Sequence, residues 1–153
     1  MSTIKVDTYL TRGGVSEIAI DKLKGASSAG SMTVVAEGGS TTTNLQQGLV
    51  KCWSHISADG ASILDSLNVS SHDDDGTGDG GIHINNDMSS ANYVIQLTVD
   101  HGDSTSSVNS VEVTNGTQAA GSFDYTNNYV NSASDNRTAF NVDRYIALLG
   151  DLA

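Results

Sequence analysis

Tyr93-Val94-Ile95-Gln96-Leu97-Thr98-Val99-Asp100 is the stretch that decides the fold class. Tyr93, Ile95, Leu97 and Val99 alternate with Val94, Gln96, Thr98 and Asp100. A period of two places successive side chains on opposite faces of a strand, so this segment predicts a half-buried β-strand. His101-Gly102-Asp103 ends it. Upstream, Leu49 to Ile56 is an apolar run around Trp53, and Asp59-Gly60 marks a turn. Ile63, Leu67 and Val69 then share one face of a strand, with Ser66, Asn68 and Ser70 on the other. Asp73 to Gly81 reads as a dense turn, Ile82-His83-Ile84 as a short strand, and Asn85-Asn86-Asp87 as another turn. Downstream, Val108, Val111 and Val113 mark a strand closed by Asn115-Gly116. Residues 117–138 are polar and read as a long loop or an aromatic-faced strand, and Val142 to Leu149, which composition alone would also allow as a helix, reads as a final strand ended by Gly150-Asp151.

Short strands between turn clusters, with no helix-length periodic segment, predict an all-β antiparallel sandwich, jelly-roll-like in character. Its expected core is Leu49, Trp53, Ile63, Leu67, Val69, Tyr93, Ile95, Leu97, Val99, Ile146 and Leu148. The chain divides into residues 1–45, an attachment and oligomerisation arm with a linker at Gly38 to Thr43, and residues 46–153, the sandwich domain. Within the arm, Ile4, Val6, Val15, Ile18 and Ile20 are the apolar positions expected to add strands to, or pack on, a neighbour.

Composition agrees. The 153 residues carry 16 glycines and no proline, so turns fall to Gly, Asn, Asp and Ser. Of the 18 acidic residues only Glu17, Glu37 and Glu112 are glutamates, a bias toward the turn-forming acid. The hydrophobic fraction of 37% predicts a lean core that subunit contacts complete. A formal charge of −11 excludes counterion-driven nucleic-acid binding and docking to an anionic membrane. No apolar run approaches the ~18 residues a membrane helix needs, and the opening residues read as a first strand rather than a leader. Cys52 is the single cysteine and is expected to be a buried small hydrophobe.

Several segments resemble the tail-fibre-like virion structural proteins of marine bacteriophages. They are Met1-Ser2-Thr3-Ile4-Lys5-Val6-Asp7-Thr8, Gln47-Gly48-Leu49-Val50-Lys51-Cys52-Trp53, Asp65-Ser66-Leu67-Asn68-Val69-Ser70-Ser71, Asp75-Gly76-Thr77-Gly78-Asp79 to Met88, Ala91-Asn92-Tyr93, and the closing Gly150-Asp151-Leu152-Ala153. The resemblance covers roughly half the chain. It implies a virion location, a homotrimer, and partners among other tail or capsid proteins. This chain departs from the pattern by placing Gly80-Gly81 ahead of the strand that follows the Gly-Thr-Gly-Asp turn.

The candidate chemistry is sparse. Asp73, Asp75 and Asp79 form a calcium candidate, because hard cations want several oxygen ligands on a turning backbone. The EF-hand pattern fails, since Ile84 stands where the bidentate glutamate belongs. No His-x-x-x-His or Cys-x-x-Cys spacing and no Gly-x-Ser-x-Gly elbow occurs, so neither an enzyme nor a cofactor is expected. Glu112, between Val111 and Val113, is expected on the solvent face. Tyr125, Asn127, Asn128 and Tyr129 are candidate glycan contacts, in an aromatic-plus-amide set that also includes Tyr145 and Asn131, and a subunit interface is the favoured reading of the same residues. The leading expectation is therefore a non-enzymatic short tail-fibre or spike-like trimer. A capsid decoration protein (cement or head-fibre) and a glycan- or receptor-binding module that meets a host surface glycan are the alternatives.

Overall fold

The computed structural model describes residues 21–23, 31–100, 107–131 and 137–153. Most of the expected arm, including Ile4, Val6, Val15, Ile18 and Ile20, lies outside the described residues. What is described is all β. The strands are β1 (Thr33–Val35), β2 (Thr42–Asn44), β3 (Val50–Ile56), β4 (Ile63–Leu67), β5 (Val69–Gly76), β6 (Asp79–Ile84), β7 (Val94–Val99), β8 (Ser107–Val113), β9 (Ser122–Asn131), β10 (Arg137–Ala139) and β11 (Arg144–Leu149). β1 and β2 form an exposed antiparallel hairpin. Gly38 to Thr43, expected as a linker, is therefore the hairpin's turn and part of its second strand.

Two antiparallel sheets make the sandwich. One runs β4-β3-β11-β7. In the other, β9 pairs with β8 along one edge, and its opposite edge is shared by β6 and β10, with β5 outside β6. The sheets meet through Cys52, Ile56, Ile146 and Leu148 from the first, and Ile82, Ile84, Phe123 and Tyr125 from the second. Ile95 and Leu97 of β7 pack onto this core from one side, as their alternation predicts. Tyr93 and Met88 close one end, where the Tyr93 hydroxyl donates to the Ala119 carbonyl at 2.9 Å.

Asn68 decides where the chain changes sheets. It is the one non-glycine residue with positive φ among those described, at 60°. Ile63 to Ser71 is therefore not one strand: β4 ends at Leu67 in the first sheet and β5 begins at Val69 in the second. Asparagine tolerates the left-handed region better than other side chains, because its amide can bond locally. Here Asn68 Nδ2 donates to the Lys51 and Asn86 carbonyls, both at 3.1 Å, and Oδ1 accepts from the Asn86 backbone N–H at 2.7 Å.

Three of the expected core residues face outward. In β3, Cys52, Ser54 and Ile56 are buried, so alternation sends Trp53 and His55 to the opposite side. Leu67 stands across from Trp53 and is 50% exposed, and Leu49, ahead of the strand, is 53% exposed. Two expected turns and loops are strand. Asp73 to Gly81 is a β5–β6 hairpin whose connection is only Thr77-Gly78, and Gly80-Gly81 lies inside β6 rather than ahead of it. Within the polar stretch 117–138, Ser122–Asn131 is β9, the longest strand described. Its polarity misleads because its outward residues are Ser122, Asp124, Thr126 and Asn128, while its inward set mixes Phe123 and Tyr125 with Asn127.

Asn68→Ala removes these bonds and leaves an alanine in the left-handed region. A loss of about 2–3 kcal/mol follows from the backbone cost and the unpartnered groups. Asn68→Gly relieves the backbone cost, so in urea titration it should unfold later than Asn68→Ala and earlier than the parent chain.

Candidate functional site

The sandwich offers two clusters of chemically capable side chains, one inside and one outside. The inside cluster grows from the polar members of the facing strands. Arg144 begins β11 with its side chain turned inward and is only 1% exposed. Its Nη2 donates to Asn141 Oδ1 at 3.0 Å and its Nη1 to the Ser57 carbonyl at 3.4 Å, while the guanidinium lies 5.5 Å from the Tyr125 ring centroid. No carboxylate is in ion-pair distance of it among the described residues. The Arg144 charge is met instead by these two oxygens and, further off, by the face of the Tyr125 ring. Asn141 Oδ1 also accepts from the Gly78 N–H at 2.7 Å, which pins the β5–β6 turn to the same cluster. Asn127, fully buried, donates through Nδ2 to the Phe140 carbonyl.

His72 completes the group. Its Nε2 shares a hydrogen bond with the Tyr125 hydroxyl at 2.8 Å, and the two rings stack with centroids 6.0 Å apart. Gly80 is what leaves room for that bond. A Cβ there would lie 2.7 Å from His72 Nε2 and 2.8 Å from the Tyr125 hydroxyl. Burial pushes the Tyr125 phenol up to about 12. Burial also lowers the His72 pKa below its ordinary value, and the Arg144 charge adds to that effect. The cluster is thus a hydrogen-bonded seal on one end of the sandwich, held neutral at His72.

The outside cluster lies on the outer face of the four-stranded sheet. His55 and Tyr145 are cross-strand neighbours whose rings stack with centroids 4.5 Å apart. His55 Nε2 is 3.0 Å from Asp143 Oδ2. Trp53 lies two residues along β3 on the same face, between Leu67 on β4 and Ala147 on β11. Gln96, Thr98, Tyr145 and Ala147 line a cleft of about 470 Å³ at the β7–β11 junction. This surface can stack on flat or apolar partners and supply amide and carboxylate hydrogen bonds at its margin.

The expected site residues fare unevenly. Tyr125 is 1% exposed and Asn127 fully buried, so neither can touch a glycan: the register of β9 turns both inward. Tyr129 packs edge-on against Phe140 with centroids 5.5 Å apart, and Asn128 is half-buried on the opposite face of β9. The Asp73, Asp75 and Asp79 set does not converge. Asp73 bonds His83 Nε2 at 2.7 Å, and Asp75 is the extra residue of a bulge in the β5–β6 register. Among the described residues no three His, Cys, Asp or Glu side chains gather as metal ligands would. Glu112 is exposed and pairs with Arg137. The Cys52 thiol is buried, which pushes its pKa up to about 11 and keeps it protonated at neutral pH. No protein-family model, no curated protein and no solved structure matches the chain.

Because the fold holds His72 neutral, the unfolded chain binds the extra proton once pH falls below the ordinary histidine value of about 6.5. Stability should be insensitive to this group above that value. It should fall as pH drops from there through the lowered folded value. Thermal melts of the parent chain and of His72→Gln across pH 5–8 check this, and the variant should lose part of the acid-side decline.

Proposed function

We propose that the chain is a non-enzymatic structural protein of a bacteriophage virion, a short tail-fibre or spike-like homotrimer that works by assembly. The observation that carries this is a conflict in its surface. A chain with a formal charge of −11 nonetheless exposes Leu49, Val50, Leu64, Leu67, Val94 and Tyr145 on or beside one sheet. Scattered exposed apolar residues are ordinary, but a grouped set marks a contact surface. The most evidently reactive groups point the same way in their use: Cys52 sits in the core, and His72, Tyr125 and Arg144 close one end of it.

The virion assignment is supported by the resemblance, and three of the segments that carry it fall at turns or strand crossings. Asp65 to Ser71 spans the Asn68 change of sheet, Asp75 to Asp79 is the tip of the β5–β6 hairpin, and Ala91 to Tyr93 leads into β7. These are turns and crossings that define a scaffold. Trimerisation would complete a core that is lean for its length.

Light scattering on the full chain should give three times the mass of one chain, and a stable monomer overturns the self-assembly proposal. Immunogold imaging of virions should place label on the tail. Label on the head instead supports the capsid-decoration alternative, and virions without label overturn the virion assignment.

A further inference from the structure

We infer that the outer face of the four-stranded sheet, centred on Trp53, is the surface through which copies of this chain meet. This rests on the self-assembly proposed above and locates its contact.

The two outer faces of the sandwich are chemically opposite. The β5–β6–β9–β8 side turns Ser71, Asp73, His83, Asp124, Thr126, Ser110 and Glu112 outward by register. The β4–β3–β11–β7 side carries the row Leu67, Trp53, Ala147, Gln96, with Val50, Leu149 and Val94 beyond it at one end. Leu67 is 50% and Val94 60% exposed. Of the acids around this face, Asp65, Asp100 and Asp143 lie toward the other end with His55 and Tyr145, and Asp151 borders the apolar end beside Val94 and Leu149. Copies that each carry a large negative charge repel unless they meet where their own acids are fewest. An apolar centre with charges pushed to the margin is also the composition of an interface core. A strongly basic partner would favour the opposite, acidic side.

The size is right for a contact that recruits its rim. Four strands about 4.8 Å apart and about six residues of about 3.3 Å rise give a patch near 400 Å². That footprint of the whole face is about half of what each partner buries in a standard interface. Leu49 and Leu64, both exposed beside the patch, supply part of the remainder. The face is preorganised, because β3 and β11 are paired on both sides and their side chains are fixed before contact.

Trp53 is the single tryptophan, so its emission reports this face alone. Light scattering and Trp53 fluorescence on the full chain, with Leu67→Asp, Val94→Asp and the opposite-face control Ser71→Asp, test the inference. All three variants should keep the parent circular dichroism, since the changed side chains are exposed. The parent and Ser71→Asp should show an oligomer with blue-shifted emission, and Leu67→Asp and Val94→Asp the mass of one chain with red-shifted emission. If the two face variants keep the parent mass, the copies meet elsewhere and this inference is overturned while self-assembly stands. A monomeric parent overturns both. A monomeric parent whose Trp53 emission shifts on adding soluble oligosaccharides assigns the face to sugar instead, and a shift on deleting residues 1–30 assigns it to the chain's own N-terminal segment.

Discussion

Everything in the sandwich depends on one asparagine holding a conformation that most residues avoid. Asn68 at φ 60° ends a strand of one sheet and starts a strand of the other without an intervening loop. Its amide then bonds backbone on β3 and at Asn86, so the change of sheet is tied to both layers it connects. Once that crossing is fixed, Ile63 and Val69 both pack onto the one core, and the β5–β6 hairpin is aimed across it. The spacing between the sheets follows from the side chains that this single turn brings face to face.

The interior is graded from end to end. At one end Met88, Tyr93, Ile84 and Leu148 pack as hydrocarbon and ring, and at the other Arg144, Tyr125, Asn127 and His72 pack as a polar network. Burying a guanidinium with no carboxylate in ion-pair distance among the described residues is costly, and removing the hydrogen bonds that hold it is costlier still. The network earns its place by specificity: Asn141 joins Arg144 to the Gly78 turn, so the hairpin tip has one seat. Hydrocarbon alone would let that tip slide. Gly80 is part of the same solution, being the one residue whose missing side chain lets His72 reach Tyr125.

Much of the fold was legible in the sequence. The Tyr93 to Val99 alternation named its strand and its inward face correctly, and Val142 to Leu149 resolved as strand. What misleads is an apolar run without a clear period and a face that is not continuous. Trp53 lies in the run Leu49 to Ile56, whose period is set by Cys52 and Ile56 with small Ser54 between them, and Leu67 shares a face with Ile63 and Val69 in sequence only, because the chain changes sheets at Asn68. Residues 117–138 are hard to read because the inward face of β9 includes Asn127, a polar residue in an inward position whose Nδ2 finds its acceptor only at Phe140, thirteen residues on. The outside cluster of Trp53, His55 and Tyr145 was missed, since His55 and Tyr145 meet only across the β3–β11 pairing. Its one local signal was Trp53 and His55 two apart in a strand, sharing a face.

The placement of β11 has a further consequence for how the molecule is made. It is the last strand described, yet it sits between β3 and β7 in the middle of its sheet. His55 and Asp143, which meet where β3 joins the approach to β11, are 88 positions apart in the chain. Strand β3 must therefore wait, with an open edge, while the hairpins of the other sheet form from local contacts. Such non-local closure is slow, and an open edge beside an apolar strand accepts any matching partner that arrives first.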